Sequence, residues 1–273
     1  MQQLTPNVYV ETGTRGCNPG FVTTSEGIVM IDTPQKPSDA IWWREEILRK
    51  GEPRYLINCE PHGDHISGNF FFPSAIGIAH QGTREAVLGV VEAEFVERLK
   101  LLDPDRASLL SDYRLKAPSV TFSDRMCVYL GRHSFELIHL PGHTASETAV
   151  YIPQERVVFT GDNVFHRVQS FLHQAYPDQW LESLNRIGEL DVDYIVPGHG
   201  EVCDKSYLAE QAAFIQEWMD AVKGAIKTGW SKEEAMNKIS FLDRYPMGTG
   251  LQEMGPEVQR WNVDRLYSLL LAK

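Results

Sequence analysis

The sequence lacks any apolar run that approaches the roughly 20 residues needed to cross a bilayer. Its first residues do not combine a basic stretch with an apolar one, so we expect no signal peptide. The four cysteines are scattered and form no CxxC pair, a pattern that favours reduced thiols over a disulfide framework. From these absences we expect a soluble cytoplasmic protein with no membrane partner.

Positive charge is also scarce, with 26 lysines and arginines against 37 acidic residues and a formal net charge of −11. Nucleic-acid binding depends on basic side chains that neutralise phosphates, so we expect no nucleic-acid partner. Hydrophobic residues make up 42% of the chain and charged residues 23%, values typical of a globular protein with a sizeable core. A disordered or coiled-coil chain is therefore not expected, and the sequence motifs, rather than the composition, lead us to expect a small-molecule substrate.

The hydrophobic pattern predicts strands and helices that alternate over the first 200 residues. Predicted strands cover 7–11, 27–32, 54–58, 75–80, 119–122, 127–130, 134–140, 148–152, 157–160 and 194–196. Predicted helices cover 38–50, 83–115 with a break at 103–105, and 179–190. We expect residues 1–203 to form the catalytic domain and residues 204–273 to form a helical extension packed on it. The inserted helices over 83–115 and this extension would roof the pocket or form a homodimer contact. Within the extension, Ser231-Lys232-Glu233-Glu234 resembles a helix start with a capping box.

The densest cluster of potential metal ligands follows directly after one predicted strand. Glu60, His62, Asp64 and His65 lie within six residues, in a loop that also contains a proline and a glycine. Carboxylate and imidazole donors together suit zinc, manganese or iron. A lone histidine is more often an ordinary surface or core residue, so the argument rests on the density of the cluster.

Three further loops share one design, in which an apolar strand ends, a glycine allows a tight turn, and one ligand-type side chain follows. The ligand-type residues are His143 in Pro141-Gly142-His143, Asp162 in Thr160-Gly161-Asp162 and His199 in Pro197-Gly198-His199. Strand ends at one edge of a sheet bring distant residues together. We therefore expect these three loops to converge with the first cluster.

In this order the motifs resemble the signature of the metallo-β-lactamase superfamily: HxHxDH, a PGHT-like histidine, a TGD aspartate and a PGHG histidine. The resemblance runs from about residue 8 to residue 199. It implies an α/β fold, the αββα sandwich, in which two mixed β-sheets lie face to face with helices on both outer faces. It also implies a dinuclear metal site at one edge of the sandwich.

Position by position, the resemblance implies two divalent metal ions, with zinc as the first expectation. The implied ligands are Glu60, His62 and His143 for one ion, Asp64, His65 and His199 for the other, and Asp162 between the two. A hydroxide between the metals would be the nucleophile, because two cations lower the pKa of its parent water. The implied reaction is hydrolysis of a small carbonyl ester, lactone, thioester or amide, with a β-lactam as one subset. Asp64 is one candidate catalytic residue.

Glu60 departs from the signature, which has a histidine at this position. A third carboxylate adds negative charge and a hard oxygen donor, so it shifts the expected metal from zinc towards iron or manganese. Alternatively, Glu60 does not ligate, the first site is weak, and the enzyme is mononuclear at the site formed by Asp64, His65 and His199. Without the first metal, Glu60 could act as a general base. The extra carboxylate also supports an alternative function, an iron-dependent redox enzyme such as a sulfur dioxygenase or di-iron oxygenase. The complete ligand series argues against a catalytically silent binding protein.

His166 is the second candidate catalytic residue. It follows Asp162 closely, in a loop that often faces the pocket in this superfamily, so it could donate a proton or bind substrate. An ordinary surface histidine would look the same in the sequence. Arg167, its neighbour, could pair with a substrate carboxylate through its planar guanidinium.

Overall fold

The computed structural model describes residues 1–272, so Lys273, the last residue of the predicted C-terminal extension, lies outside the described residues. Over residues 1–272 the chain forms two large sheets, one small pair of strands and eight α-helices. The strands are β1 (Gln2–Gln3), β2 (Val8–Val10), β3 (Gly20–Thr24), β4 (Gly27–Ile31), β5 (Pro53–Ile57), β6 (Ile76–His80), β7 (Val120–Phe122), β8 (Arg125–Leu130), β9 (His133–His139), β10 (Thr148–Ile152), β11 (Val157–Phe159), β12 (Phe165–His166), β13 (Tyr194–Val196) and β14 (His199–Gly200). The helices are α1 (Pro37–Leu48), α2 (Gly63–Ile66), α3 (Gln81–Leu88), α4 (Glu92–Leu102), α5 (Pro177–Glu189), α6 (Leu208–Lys227), α7 (Lys232–Lys238) and α8 (Gly255–Leu271).

The first sheet contains β1 to β7 in sequence order. Strands β1 to β4 are antiparallel neighbours, whereas β4, β5, β6 and β7 run parallel. Parallel neighbours need crossover connections, and helices α1 to α4 lie within these connections. The carboxyl ends of β4 and β5 therefore meet at one edge, where Asp32 and Glu60 follow their strands.

The second sheet has the order β13-β11-β10-β9-β8. Strand β10 is antiparallel to both β9 and β11, and β11 is parallel to β13. Strands β9, β11 and β13 therefore run in the same direction and end at the same edge. Their following loops contain His143, Asp162 and His199, so the topology itself brings these three side chains together.

The two sheets pack face to face with helices outside both. Buried residues such as Ile57 of the first sheet and Leu137 and Phe159 of the second form one apolar layer between the sheets. Helix α1 covers the outer face of the first sheet through the fully buried Trp43. Helix α5 covers the second sheet through Trp180. This is the αββα sandwich that the family resemblance implies.

Helices α6, α7 and α8 cover the second sheet together with α5. Phe214 and Trp218 of α6 belong to the same buried cluster as Ile195 of β13 and Trp180 of α5, so residues 204–272 share a core with the second sheet. The predicted capping box at Ser231 is confirmed, since its side chain accepts from the Glu234 backbone N–H. Within residues 1–272, no helix has both the length and the apolar character that a membrane crossing would require.

The prediction lacks the two-residue strands β1, β12 and β14, and two longer parts of the structure also differ from it. The sequence pattern does not predict strand β3, because Pro19 and Gly20 at its start are turn signals, although Phe21 and Val22 are fully buried. The single broken helix expected over 83–115 is two helices, α3 and α4, followed by a 3₁₀ segment.

Candidate metal centre

The structure brings all seven proposed ligand residues together where the strands end. Donor atoms of three of them, Glu60, His62 and His143, lie within 4.8 Å of one another. The same limit holds for the donor atoms of Asp64, His65 and His199. These two triads are the sets that the family resemblance implies.

Asp162 lies between the two triads. Its Oδ1 is 3.1 Å from His65 Nε2, and its Oδ2 is 3.3 Å from His199 Nε2 and 3.5 Å from His143 Nε2. The two oxygens therefore face histidines of both triads. This placement suits a carboxylate shared by two neighbouring cations.

Glu60 points into the same cluster. The side chain is fully buried, with Oε2 2.8 Å from His62 Nδ1 and Oε1 3.0 Å from His65 Nε2. Burial raises the pKa of Glu60, and the nearby His62 and His65 oppose that rise. Glu60 thus occupies the position of a ligand in the first triad and also contacts the second.

The histidine orientations show whether this donor set fits a cation. His143 Nδ1 donates to the Phe171 carbonyl at 2.7 Å, and His65 Nδ1 donates to Asp32 Oδ2 at 2.8 Å. In the neutral form that binds a metal, each ring therefore carries its lone pair on Nε2, the nitrogen that faces the cluster. His143 Nε2 lies only 3.1 Å from His62 Nδ1. Such a concentration of buried acceptors and carboxylates is favourable when cations lie between them.

Burial and neighbouring charges set the protonation of these groups. Burial holds the pKa of His143 well below its ordinary value. Burial raises the pKa of Asp162, but His199 and His65 outweigh it and hold this pKa well below the usual range. Burial lowers the pKa of His199, but Asp162 and Asp64 raise it to about 10. Protons here balance the carboxylate charge, as metal ions would when bound.

Asp32 and Glu147 support the ligands, and sequence reasoning missed both. Asp32 accepts from His65 through one oxygen and from the Cys59 backbone N–H through the other, at 2.8 Å each. Glu147 is fully buried, and its Oε1 accepts from the Asp162 backbone N–H at 2.9 Å. Burial raises the pKa of Glu147 well above its ordinary value, and Glu60 and Asp162 raise it further. Asp32 at the end of a predicted strand was a usable signal, whereas Glu147 had none.

Close packing around position 198 explains why this motif residue is a glycine. A Cβ atom at this position would lie 1.9 Å from Asp162 Oδ1 and 2.8 Å from the Gly161 backbone. Its backbone N–H donates to the Gly161 carbonyl at 2.7 Å. The loop after β13 can therefore lie directly against the loop after β11 only because Gly198 has no side chain.

A cavity of about 200 Å³ opens onto the metal centre. Asp64, His143 and other ligands form its floor. The walls contain residues from other parts of the chain, namely Arg15, Gln35, Phe171, His173, Leu251, Met254 and Trp261. Residues 251–261 thus help to enclose the pocket, as expected if the C-terminal region roofs it.

The structure does not bring His166 to this cavity. Its Nδ1 donates to the Glu201 carbonyl at 2.8 Å, and its ring packs on Tyr207. The reason is strand alternation: Phe165 stacks on the His199 ring at 5.2 Å, so the next side chain points the other way. Sequence proximity to Asp162 therefore gave the wrong direction for His166.

Arg167 also lies away from the metal-site cavity, whereas His173 lies beside the proposed ligands. Arg167 lines a separate surface cavity together with His166. The His173 ring centre is 5.2 Å from that of His62 and 5.9 Å from that of His143. Burial and, to a smaller extent, the neighbouring His62 lower the pKa of His173 to about 4. The loop after Asp162 thus reaches the pocket through His173.

The chain is similar to proteins of a known family. The model of the Metallo-beta-lactamase superfamily matches residues 12–199. The chain is 24% identical over 243 residues to metallo-beta-lactamase type 2 of Elizabethkingia meningoseptica, covering 82% of this chain and 88% of that protein. It is 23% identical over 210 residues to hydroxyacylglutathione hydrolase of Chelativorans sp. (strain BNC1), covering 77% and 69% respectively.

A third relative and a solved structure extend the comparison. The alpha subunit of 2,4-dinitroanisole O-demethylase from Nocardioides sp. (strain JS1661) is 30% identical over 185 residues, covering 63% of this chain and 49% of that protein. The crystal structure of a metallo-beta-lactamase family protein from Thermus thermophilus has a TM-score of 0.71 at 16% identity, covering 99% of this chain and 95% of that one. This structural likeness supports the fold.

Proposed function

This chain belongs to the metallo-beta-lactamase superfamily, and we propose that it is a metal-dependent hydrolase that binds two divalent metal ions and cleaves a small carbonyl compound. The proposed ligands are Glu60, His62 and His143 for one ion, Asp64, His65 and His199 for the other, and Asp162 for both. Zinc is the first choice of metal. The substrate is an ester, lactone, thioester or amide, and the relative named hydroxyacylglutathione hydrolase favours thioesters.

One observation supports this proposal above the others. Two triads of ligand-type atoms, each within 4.8 Å, lie on either side of Asp162, and all of them follow strand ends at one edge. Asp162 contacts His65 on one side and His143 on the other. A single cation would not require a second complete triad beside the first.

The protein's own groups hold the reacting centre in place. Asp32 and the Phe171 carbonyl fix the rings of His65 and His143, and Glu147 fixes the backbone of Asp162. Divalent cations at these ligands would supply activated water near neutral pH and polarise the substrate carbonyl. Asp64, with 20% of its side chain exposed, reaches the cavity. Burial raises the pKa of Asp64, but His65 and His199 outweigh it and hold this pKa below its ordinary value, so its carboxylate is ionised and would hold one cation and help to orient the activated water.

The cavity walls bind the acyl compound and exclude water. Phe171, Leu251 and Met254 give them an apolar character, and Trp261 adds an aromatic surface. An apolar wall also strengthens the electrostatic interactions at the ligands, since it lowers the local dielectric. The four cysteines are unpaired in the structure, which fits the proposed cytoplasmic location.

Metal-dependent turnover tests the hydrolase proposal. Zinc-loaded protein would be assayed with a lactone, a thioester, an aryl ester and a β-lactam, and with 2,4-dinitroanisole because of the O-demethylase relative. We expect hydrolysis of at least one carbonyl substrate, and we expect metal removal to abolish it. Asp162→Ala should lower the rate about 10³-fold or more, since the Asp162 carboxylate supports both cation positions. The exposed Asp112→Asn is the matched control. Turnover that survives metal removal or Asp162→Ala would contradict the proposal.

Glu60 supports a second candidate, an iron-dependent redox enzyme such as a sulfur dioxygenase or di-iron oxygenase. Its two oxygens lie 2.8 and 3.0 Å from histidine nitrogens of the cluster, so a third carboxylate is available to the metals. Hard oxygen donors favour iron or manganese over zinc. Elemental analysis of wild type and Glu60→His, purified side by side without added metal, separates the candidates. Iron in wild type that gives way to zinc in Glu60→His favours the redox enzyme, and zinc in both favours the hydrolase.

A further inference from the structure

A cationic side chain lies on the wall of the metal-site cavity. Among the lining residues that the structure describes, Arg15, in the loop between β2 and β3, is the only arginine or lysine. Its Nε donates to Gln35 Oε1 at 3.2 Å, and Gln35 lines the same cavity. Its Nη2 lies 4.0 Å from Met254 Sδ, another lining atom. These contacts hold a planar guanidinium, with its forked N–H donors, at the cavity wall.

The positive charge of Arg15 is weakly compensated by the protein. Over residues 1–272 its one ion pair is with Glu253, at 3.4 Å. The Arg15 side chain is 19% exposed, whereas that of Glu253 is 73% exposed, and exposed pairs of this kind contribute little. A mostly buried guanidinium is stabilised by an anion that reaches it inside the cavity. A carboxylate is the anion whose geometry matches the guanidinium fork.

The loop that contains Arg15 is fixed against the metal centre. Gly16 has φ 86°, and a Cβ atom there would lie 2.6 Å from Asp64 Cβ, so the backbone next to Arg15 touches a proposed ligand. Asn18 Nδ2 donates to the carbonyls of Pro197 and Gly200, on either side of His199, at 2.9 and 2.7 Å. Arg15 is therefore held at a defined position relative to the metal ligands, as a substrate-orienting group must be.

We infer that Arg15 binds a carboxylate of the substrate, so that the enzyme selects small acyl compounds in which a carboxylate lies a few bonds from the scissile carbonyl. This inference rests on the proposed hydrolase function. The cavity of about 200 Å³ accommodates a compact acyl group of this kind. Phe171, Leu251 and Trp261 face its hydrocarbon part, while the metal ligands and Arg15 mark the carbonyl and carboxylate ends.

A matched pair of substrates tests this selectivity. The two substrates are thioesters of the same thiol, one with glutarate and one with monomethyl glutarate. They differ only in the distal group, which is a carboxylate in the first and a neutral methyl ester in the second. We expect Arg15→Gln to lower kcat/KM for the glutaryl thioester about 10- to 100-fold, the loss typical of a charged hydrogen-bonding partner, and to change the neutral ester less than about threefold. Arg15→Lys, which keeps the charge without the fork, should recover part of the loss.

Arg167→Gln is the control, because Arg167 is exposed and lines a different cavity. It should leave both thioesters unchanged. An equal loss for both thioesters in Arg15→Gln would overturn the inference, since Arg15 would then act on the metal centre or on folding. The absence of any effect of Arg15→Gln would overturn it as well.

Calorimetry with 5-oxohexanoate, which has one carboxylate and a ketone that cannot be hydrolysed, separates this inference from the proposed function. If zinc-loaded wild type hydrolyses neither thioester, the proposed function fails for this class, and binding still decides the role of Arg15. The inference is supported if wild type and Arg167→Gln bind the compound with the same affinity and Arg15→Gln binds it about tenfold or more weakly. Binding that is absent, or equally strong in Arg15→Gln, overturns it.

Discussion

Asp32 shows how one residue outside the sequence motifs controls a proposed ligand. It receives hydrogen bonds from His65 and from the Cys59 backbone, so it fixes both the ring of His65 and the start of the ligand loop. It does so at φ 54°, a left-handed conformation that few residues other than glycine, asparagine and aspartate adopt readily.

Asp32→Asn should therefore keep the backbone while weakening the orientation of His65. An asparagine tolerates the same conformation, but its neutral amide is a poorer acceptor for the imidazole N–H. We expect zinc affinity to fall about 10- to 100-fold, measured by competition with a chelating dye. The exposed Asp112→Asn serves as the control, and equal affinities in the two variants would show that Asp32 does not support the metal centre.

The sequence predicts residues that lie in motifs and misses residues that reach the site from elsewhere. The seven proposed ligands, which the structure brings together, follow apolar strands in short patterns that can be recognised in the sequence. Arg15 and Glu147 were missed, since nothing local to them indicates that the fold returns them to the same edge. The direction of the His166 side chain was predicted wrongly. The face on which β12 places each residue depends on its pairing with β14, and the sequence does not reveal this pairing.

At the scale of the elements, Glu155 ties the N-terminal segment to the second sheet. Its carboxylate accepts from Asn7 Nδ2 at 2.7 Å, from His133 Nε2 at 2.6 Å and from the Thr5 hydroxyl. Burial raises the pKa of Glu155, but these hydrogen bonds outweigh it and hold the pKa below its ordinary value of 4.5. The ionised carboxylate therefore stabilises the folded state.

This shift predicts a specific acid response. A carboxyl whose pKa is depressed by folding contributes stability above its unfolded pKa, and loses it as the pH falls through the folded pKa. Glu155→Gln should lower the free energy of unfolding by about 1 kcal/mol at about pH 7, and the difference from wild type should shrink towards about pH 4 and below. Urea midpoints measure both, with the exposed Glu26→Gln as the control. A difference that stays constant with pH would contradict this account.

The elements also show where pattern reading succeeds. The Ser231 capping box and the break at Asp103 were predicted, because both are set by contacts within a few residues. Strand β3 instead forms through pairing with its neighbours β2 and β4. It was not predicted, because the residues at its start are typical of turns. Local contacts could be predicted, and long-range pairing could not.

At the scale of the whole molecule, the predicted boundary at residue 203 does not separate two cores. Trp218, beyond the boundary, is fully buried in the cluster that includes Trp180 and Ile195. We expect Trp218→Ala to lower the free energy of unfolding by about 3–5 kcal/mol and to leave a single transition, followed by circular dichroism and by metal release. Trp42→Ala, at a partly exposed site, should cost much less. Two separate transitions would show that residues 204–272 unfold independently.

The number of bound metal ions tests the central claim most directly. The claim is that Glu60, His62 and His143 form one cation site and Asp64, His65 and His199 another, with Asp162 shared. Elemental analysis of protein saturated with zinc and then dialysed should give about two ions per chain in wild type, and about one or fewer in Asp162→Ala. One ion or none in wild type would contradict the dinuclear centre.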